Sequence, residues 1–433
     1  MSKEIIKALR DAPGCYEMGW RLPEHTNWKD EQMSWKKTCY IGDWSFLRNL
    51  VVKGPDALKL LSDISVNSYA KFDIGQGKHI ICCNEDGKLI TEGIVLRTNE
   101  QEFRIQSVPA FYTDYKLHSG KYNATSRHDD TFHYQVQGPN ALYLVEKLAG
   151  ESLRDISFMR FRKIYIKGRE VIALRQGMSG EIGGFELQGP MEYGQEIYNA
   201  VLEAGQDFGI RQLGRRTALI NHLEAYYPTY NHHYVPAMFG KGMEGFQEWV
   251  AANFPMLART WKISGSFEGN DISDYYTSPV EMGWKRIIKF DHDFIGRKAL
   301  EAEVANPKRT AVTLEWNNDD VIDIYASLFR EGEPYDFIDI PQPERFHAQV
   351  DQVLKDGKLV GKSTIPGYSY YFRKMLTLSY IDIELTKPGT GVTIILGNPG
   401  TPQKHVRATV ASVPYKKDDR RGDLKKLPAY LKK

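Results

Sequence analysis

Alternating apolar and polar positions predict short strands through the first two hundred residues, with few helices between them. Strands are expected at residues 50–52 and 79–82, and an amphipathic helix over residues 55–61 begins at Gly54-Pro55. A further strand over residues 132–137 leads into a helix that runs to about Leu148. Glycine permits a sharp turn and proline suits the first helical turn, so both segments predict strand–turn–helix units. The pattern is typical of an α+β protein.

The two turns share a sequence. Gly-Pro-Asp-Ala-Leu begins at Gly54 and Gly-Pro-Asn-Ala-Leu begins at Gly138, 84 residues later. Each copy follows an apolar strand and opens a helix, which indicates an internal duplication. Chance recurrence of a short turn sequence is the alternative.

From about residue 305 the pattern changes to strands separated by proline and glycine turns, at residues 310–316, 358–362, 374–382 and 391–396. Several short strands without long helices predict a small barrel or sandwich. We therefore expect two similar α+β lobes over residues 1–305, a C-terminal β-barrel domain over 306–415 and a basic tail over 416–433. The tail carries eight Lys and Arg against three Asp. A solvated segment is expected there, with a membrane or nucleic-acid contact as the alternative.

Composition narrows the function classes. The chain has 433 residues, of which 42% are hydrophobic and 26% charged, with 57 Lys and Arg against 55 Asp and Glu. This balance predicts a folded protein without a nucleic-acid partner. No apolar run approaches the roughly 18 residues of a membrane helix, and the N-terminus lacks a signal-peptide core, so no membrane partner and a cytoplasmic location are expected. Cys15, Cys39, Cys82 and Cys83 form no CxxC pair, which predicts reduced thiols.

Common cofactor signatures are missing from the sequence. Gly75-Gln76-Gly77 lacks the third glycine of a dinucleotide loop, and no phosphate-binding GxxxxGK[ST] loop is present. His232 and His233 are adjacent, so on a strand they would point to opposite faces and could not easily share an ion. We expect neither a metal nor a nicotinamide requirement. Cys82-Cys83 lies in an apolar run and predicts packing residues; a nucleophile is the alternative.

Residues 177–186, Gly-Met-Ser-Gly-Glu-Ile-Gly-Gly-Phe-Glu, are the most informative segment. Four glycines would let the backbone approach a flat ligand, and the two carboxylates could accept ring N–H groups. A glycine-rich hairpin with surface glutamates fits the same residues.

The order of short motifs resembles the glycine-cleavage T-protein (aminomethyltransferase) superfamily, and within it the tetrahydrofolate-dependent aryl methyl ether O-demethylases. The resemblance covers about residues 38–415. The motifs that carry it are Gly42-Asp43-Trp44-Ser45, the two Gly-Pro turns, Gly87-Lys88-Leu89-Ile90-Thr91-Glu92-Gly93, residues 177–186, Leu213-Gly214-Arg215-Arg216, Asn221-His222-Leu223-Glu224, Ser278-Pro279-Val280-Glu281-Met282-Gly283-Trp284 and Asp293-Phe294-Ile295-Gly296-Arg297.

This resemblance implies three lobes around a central folate channel, with tetrahydrofolate as cofactor. It implies that Glu186 binds the pterin through ring N–H groups and that Gly180, in the same loop, borders the cofactor. Glu92 would occupy the acidic position beside the reacting nitrogen, where the family usually has Asp. Tyr227 would stack against the folate where some demethylases have Trp.

The chain departs from its methoxybenzoate-demethylating relatives at the donor site. Phe46 and Leu47 stand where those relatives carry His, and Ala218 stands where they carry a catalytic Tyr. We therefore expect these three residues to bind a donor that is more apolar around the ring, or bulkier near Ala218, than a methoxybenzoate. An aryl ether leaves as a phenoxide, whose conjugate acid has a pKa of about 10, so a hydrogen-bond donor is needed. His222 and Tyr227 are the expected donors, in a segment where an aromatic core hairpin is the alternative.

The sequence thus predicts an enzyme that transfers a methyl group from a methoxylated aromatic compound to N5 of tetrahydrofolate. Two alternatives stay open: an aminomethyltransferase or S- or N-demethylase acting on a small aliphatic donor, and a non-catalytic folate-binding protein, because fold does not fix function. The oligomeric state is left open.

Overall fold

The structure is a computed structural model that describes residues 2–13, 22–118 and 120–430. Its helices are α1 Ser2–Asp11, α2 Trp28–Lys37, α3 Ala57–Ile64, α4 Pro109–Leu117, α5 Ala141–Ala149, α6 Gly194–Gly205, α7 Arg215–Ala225, α8 Glu244–Asn253, α9 Pro255–Ala258, α10 Arg297–Ala305 and α11 Asn318–Ser327. Its strands are β1 Cys39–Asp43, β2 Asn49–Lys53, β3 Gln76–Cys83, β4 Leu89–Asn99, β5 Glu102–Gln106, β6 Thr125–Asp129, β7 Thr131–Gln137, β8 Phe161–Ile166, β9 Arg169–Arg175, β10 Phe185–Pro190, β11 Ile210–Gln212, β12 Ile263–Ser264, β13 Arg309–Trp316, β14 Ala348–Gln349, β15 Asp351–Lys355, β16 Lys358–Ser363, β17 Gly367–Ser369, β18 Lys374–Asp382, β19 Gly391–Leu396 and β20 Lys404–Ala411.

Two sheets build the first part of the chain. One has five strands in the order β3-β4-β5-β2-β6, and the other has six in the order β11-β1-β7-β10-β9-β8. Each sheet packs helices against one apolar core, α3 and α4 in the first and α5 and α6 in the second. Strand β1 belongs to the second sheet although it precedes the whole first sheet in the chain, so the two lobes are interlocked.

The two Gly-Pro turns have the same local geometry. Gly54 and Gly138 both have positive φ, 146° and 114°. A Cβ at Gly54 would lie 2.6 Å from the carbonyl oxygen of Asn123, and one at Gly138 would lie 2.8 Å from that of Thr38. Only glycine fits both the conformation and this close approach. The match in geometry supports the duplication inferred from sequence.

Helix α3 begins at Ala57, two residues later than the sequence predicts. The amide of Ala57 closes a turn on the carbonyl of Gly54 at 3.1 Å, so Pro55 and Asp56 form the turn and not the first helical residues. Ala141 closes the same turn on Gly138 at 3.1 Å.

The C-terminal part is a closed barrel. Strands β13, β20, β19, β15, β16 and β18 follow one another, and β18 pairs back onto β13, so the sheet has no open edge there. Helix α11 packs on β20 and β18. The α+β class and the C-terminal barrel predicted from sequence agree with this architecture; the boundaries at 305 and 415 stay predictions.

The tail is exposed along most of its described length, as its charge predicts, but two of its residues are buried. Leu424 is fully buried in the core of the second lobe, and Lys416 is 6% exposed. Arg175 donates to the carbonyl of Arg420 at 3.2 Å and also to that of Gly422, and Asp419 N–H donates to Gly180 at 2.9 Å. The expectation of a solvated segment therefore does not hold at Lys416 and Leu424, because composition does not show which side chains of a charged segment pack against the rest of the protein.

Candidate active site

One cavity of ≈ 590 Å³ lies between the two lobes and the loops that join them. Strands β4, β7 and β10, helix α7 and segments 44–48, 227–232, 253–257 and 342–346 contribute its walls. Six residues predicted as site residues line it: Phe46, Leu47, Glu92, Glu186, His222 and Tyr227. The structure therefore brings carboxylates, an imidazole and a phenol from distant parts of the chain to one place.

Glu186 is held from behind by a histidine. It lies on β10, 7% exposed, and its Oε1 accepts from Nδ1 of His133 on β7 at 2.9 Å. Nε2 of His133 faces the side-chain amide of Asn49, which donates to it. For Nδ1 to donate to Glu186, the ring of His133 must carry a hydrogen on that nitrogen. The imidazole thus fixes one carboxylate oxygen of Glu186 and leaves the other for a ligand.

Glu92 is paired in a similar way on the opposite lobe. Its Oε2 lies 2.6 Å from Nε2 of His79, and the two residues are on neighbouring strands, β4 and β3. The ring of Trp284 meets His79 edge-on at 4.9 Å, which restrains the imidazole. The cavity therefore has two carboxylates, each oriented by its own histidine.

His222 is buried and neutral. Its ring stacks on Trp44 with centroids 4.9 Å apart, and its Nδ1 lies 3.2 Å from Oγ1 of Thr229. Burial lowers its pKa to about 3, and the charge of Lys416 lowers it further. Within the part of the chain that the structure describes, Nε2 of His222 has no hydrogen-bond partner. A buried, unpaired nitrogen in a cavity wall can bind a polar group of a ligand.

Tyr227 keeps its proton. Nε2 of Gln176 donates to its hydroxyl at 3.0 Å. Burial raises the pKa of Tyr227 above its usual value, and the carboxylates of Glu92 and Glu186 raise it further. The phenol can therefore accept from Gln176 while its own hydrogen is directed to a ligand oxygen, which is the role required of a leaving-group donor.

Two predicted site residues lie away from the cavity. Ala218 is 1% exposed and packs with Trp35, Tyr40 and Trp44 in the apolar cluster behind helix α7. Its neighbours along that helix, at positions 215, 219 and 222, line the cavity instead. The substrate contact predicted for Ala218 therefore has no support from the geometry.

Gly180 lies against the C-terminal segment. A Cβ on Gly180 would come 3.1 Å from Cε of Lys416, and one on Gly177 would come 2.8 Å from Cβ of Arg420. Gly177 and Gly180 thus lie against the C-terminal segment, whereas Gly183 and Gly184 lie against Leu142 and Gln137. The cofactor contact predicted for Gly180 has no support here; the loop contributes Gln176 and Met178 to the cavity.

The remaining candidates behave as packing residues. Cys82 and Cys83 are fully buried on β3, and burial raises the pKa of each thiol, so neither is an activated nucleophile. Cys15 lies outside the described residues.

Among the residues that the structure describes, no group of three or more His, Cys, Asp or Glu is arranged to hold a metal ion. None of the helices between residues 2 and 430 that the structure describes is long and apolar enough to span a bilayer.

Sequence reasoning missed His133 and Gln135. Strand β7 reads Thr-Phe-His-Tyr-Gln-Val-Gln, so polar residues recur at every second position. Side chains two apart lie on one face of a strand, so this alternation was a usable signal for a polar cavity wall. The pattern does not show which residue each polar side chain meets. In the structure, Gln135 lies directly opposite Glu186 in the β7–β10 register.

Comparison with known proteins places these features in a family. A family model described as the GCVT N-terminal domain matches residues 10–238. The chain is 36% identical over 411 residues to the sesamin methylene transferase of Sinomonas sp. (strain No.22), covering 90% of this chain and 89% of that protein. It is 32% identical over 421 residues to the syringate O-demethylase of Sphingobium sp. (strain NBRC 103272 / SYK-6), with 90% and 89% covered.

Comparison with solved structures finds the same overall fold in an aminomethyltransferase. The crystal structure of the glycine cleavage system aminomethyltransferase T from Bartonella henselae superimposes with a TM-score of 0.67 at 17% identity, covering 96% of this chain and 97% of that one. The likeness extends over both lobes and the barrel.

Proposed function

This chain belongs to the GCVT family, and from that premise we propose that it is a tetrahydrofolate-dependent transferase that takes a one-carbon group from an aromatic donor. The superfamily resemblance found in the sequence is thereby confirmed. The main activity is O-demethylation: the methyl group of a methoxylated aromatic compound goes to N5 of tetrahydrofolate, giving 5-methyltetrahydrofolate and a phenol.

The observation that carries this proposal is that one cavity contains two histidine-oriented carboxylates and a protonated tyrosine. Glu186 accepts hydrogen bonds only, so it suits a heterocycle edge that donates several N–H bonds, as a pterin does. Glu92 is on the facing lobe, and apolar side chains such as Phe46 and Leu47 complete the wall. These groups fit a folate together with an apolar donor.

Tetrahydrofolate, held at its pterin by Glu186, would supply the nucleophilic N5 that accepts the methyl group. The C–O bond of the donor would break with its electron pair going to the aryl oxygen, and this oxygen would take up the proton lost from N5. Tyr227 donates a hydrogen bond to that oxygen, and His222 donates through Nε2 when its Nδ1 accepts from Thr229. Holding both substrates with the methyl group between them contributes several kcal/mol by proximity alone.

A second candidate is transfer of a methylene group, because one relative at 36% identity is named a methylene transferase. Such a reaction would give 5,10-methylenetetrahydrofolate and two hydroxyl groups with no change in redox state. The location in the cytoplasm and the aromatic-catabolic setting stay predictions.

The test is a donor panel. Aryl methyl ethers and methylene-bridged aryl diethers, each labelled with ¹³C in the one-carbon group, are incubated with tetrahydrofolate, and the folate products are separated by mass. Label in 5-methyltetrahydrofolate supports demethylation and label in the 5,10-methylene form supports the second candidate. Label in neither, with the folate bound, would contradict the proposal and leave the two alternatives, an enzyme with a small aliphatic donor and a non-catalytic folate-binding protein.

A further inference from the structure

We infer that Gln135 is a second pterin-binding residue beside Glu186. We also infer that Lys416 of the C-terminal segment orients the side-chain amide of Gln135, through hydrogen bonds by way of Asn221 and Tyr40. This inference rests on the proposed function, since it names how the same cavity recognises the pterin. It assigns a role in the site to a residue of the tail, which composition alone describes as a solvated segment.

Gln135 is placed to bind a ligand next to Glu186. The two residues are directly opposed on the antiparallel strands β7 and β10, so their side chains leave the same face of the sheet. Gln135 is 5% exposed and lines the cavity. Its Oε1 accepts from the hydroxyl of Tyr40 at 3.5 Å, and no group of the residues described pairs with its Nε2. The free amide hydrogens are therefore those that face the cavity.

The direction of the hydrogen bonds follows from Lys416. An amine at the end of a lysine side chain has hydrogens to donate, so Asn221 must present Oδ1 to it, at 3.2 Å. Nδ2 of Asn221 then faces Tyr40 and donates to its hydroxyl at 2.7 Å. The single hydroxyl hydrogen of Tyr40 is left to donate to Oε1 of Gln135. The chain of bonds therefore determines which end of the Gln135 amide faces the ligand.

Lys416 is held firmly enough to act in this way. Its backbone N–H donates to the carbonyl of Glu224 at 3.1 Å, and its side chain is 6% exposed beneath Gly180. Burial lowers the pKa of the amine, and the Glu224 carboxylate opposes this effect; Lys36, Glu181 and Arg420 are the other charges near it. Both the charged and the neutral amine carry a hydrogen for Asn221, so the direction of the bonds is the same in either state.

The result is an acceptor beside a donor. Glu186 offers a carboxylate oxygen, and Gln135 offers an N–H group. The edge of a pterin that carries the amino group and ring N–H also carries the 4-oxo oxygen, so one ring can satisfy both residues. A heterocycle with an amino group in place of the 4-oxo group would set two donors against each other at Gln135. Its ring N3 also carries no hydrogen to donate to Glu186, so the part of the preference that depends on Gln135 is the part that changes in variants of the bond chain.

The experiment measures dissociation constants by calorimetry for tetrahydrofolate and for its 4-amino analogue, using the full chain. The wild type should prefer the 4-oxo compound. Lys416→Met should reduce that preference about 5- to 10-fold, because the Gln135 amide is then free to turn. Lys417→Met is the matched control: this neighbour is exposed and its amine pairs with the carboxylate of Asp419, so the preference should not change. Gln135→Glu, which replaces the donor by an acceptor, should reduce the preference more than Lys416→Met does.

Tyr40→Phe keeps the proposal testable if Lys416→Met does not fold, since it removes only one hydroxyl and should cause the same loss of preference. Wild-type preference in Lys416→Met and Tyr40→Phe would overturn the bond chain, and wild-type preference in Gln135→Glu would overturn the contact. If the wild type binds neither compound, the proposed function itself fails, and the pterin contact with it.

Discussion

His133 provides the strongest test of how the cavity binds a ligand. The change is His133→Leu, which fills a similar volume without a polar atom at a position that is 1% exposed. It removes the 2.9 Å hydrogen bond to Oε1 of Glu186. Asn49 loses the imidazole as partner but retains Thr131, so the lost interaction is mainly the one with the carboxylate. A hydrogen bond to a charged group contributes about 1.5–3 kcal/mol, which corresponds to roughly 10- to 150-fold weaker tetrahydrofolate binding if Glu186 needs that orientation.

Calorimetric titration with tetrahydrofolate measures this effect, and thermal unfolding of the same samples shows whether the variant is folded. His133→Asn is the control, because its amide nitrogen can lie close to the place of Nδ1 and should restore most of the affinity. If His133→Leu is folded and binds tetrahydrofolate within twofold of the wild type, Glu186 is not positioned by His133 and the reasoning is refuted.

Three further predictions concern stability. Leu424→Ala should lower the free energy of unfolding by about 2–5 kcal/mol in denaturant titrations, because this tail residue is fully buried; a loss no larger than that of the exposed Lys425→Ala would show that the tail is not anchored. Ala218→Tyr should lower Tm by overpacking a 1% exposed core position, whereas a stable variant that blocks only the donor would restore the predicted substrate contact. Because the pKa of His222 is about 3 in the fold, the unfolded chain binds a proton that the folded chain does not between about pH 6.5 and 3, and stability falls as the pH falls. His222→Gln should weaken this dependence by up to about 1.4 kcal/mol per pH unit, and an unchanged slope would contradict it.

Features that depend on neighbours in sequence could be predicted. The Gly54 and Gly138 turns need a positive φ, which the local Gly-Pro sequence indicates. The close backbone contacts at these glycines could not be predicted, because they are made with Asn123 and Thr38, which are far away in sequence. The barrel strands also follow from local alternation, as at Lys374–Asp382, where the predicted and observed bounds agree.

Features that depend on contacts between distant segments could not be predicted from the sequence. Alternate polar residues on β7 mark a polar face, but only the register with β10 shows that Gln135 meets Glu186. Ala218 was assigned to the cavity by alignment, yet one residue of helical rotation separates a wall position from a core position. In the sequence, Lys416 and Leu424 cannot be told apart from the other residues of a charged tail. The residues that bury them are more than 150 positions away.

The central claim is that this cavity transfers a one-carbon group from an aromatic ether to a folate. The most direct measurement follows a ¹³C-methoxy arene and tetrahydrofolate with the purified chain, and quantifies labelled 5-methyltetrahydrofolate and released phenol together. The account predicts equal amounts of the two products with the wild type and none above background with Glu186→Ala. Phenol released without labelled folate, or the same yield from Glu186→Ala, would contradict it.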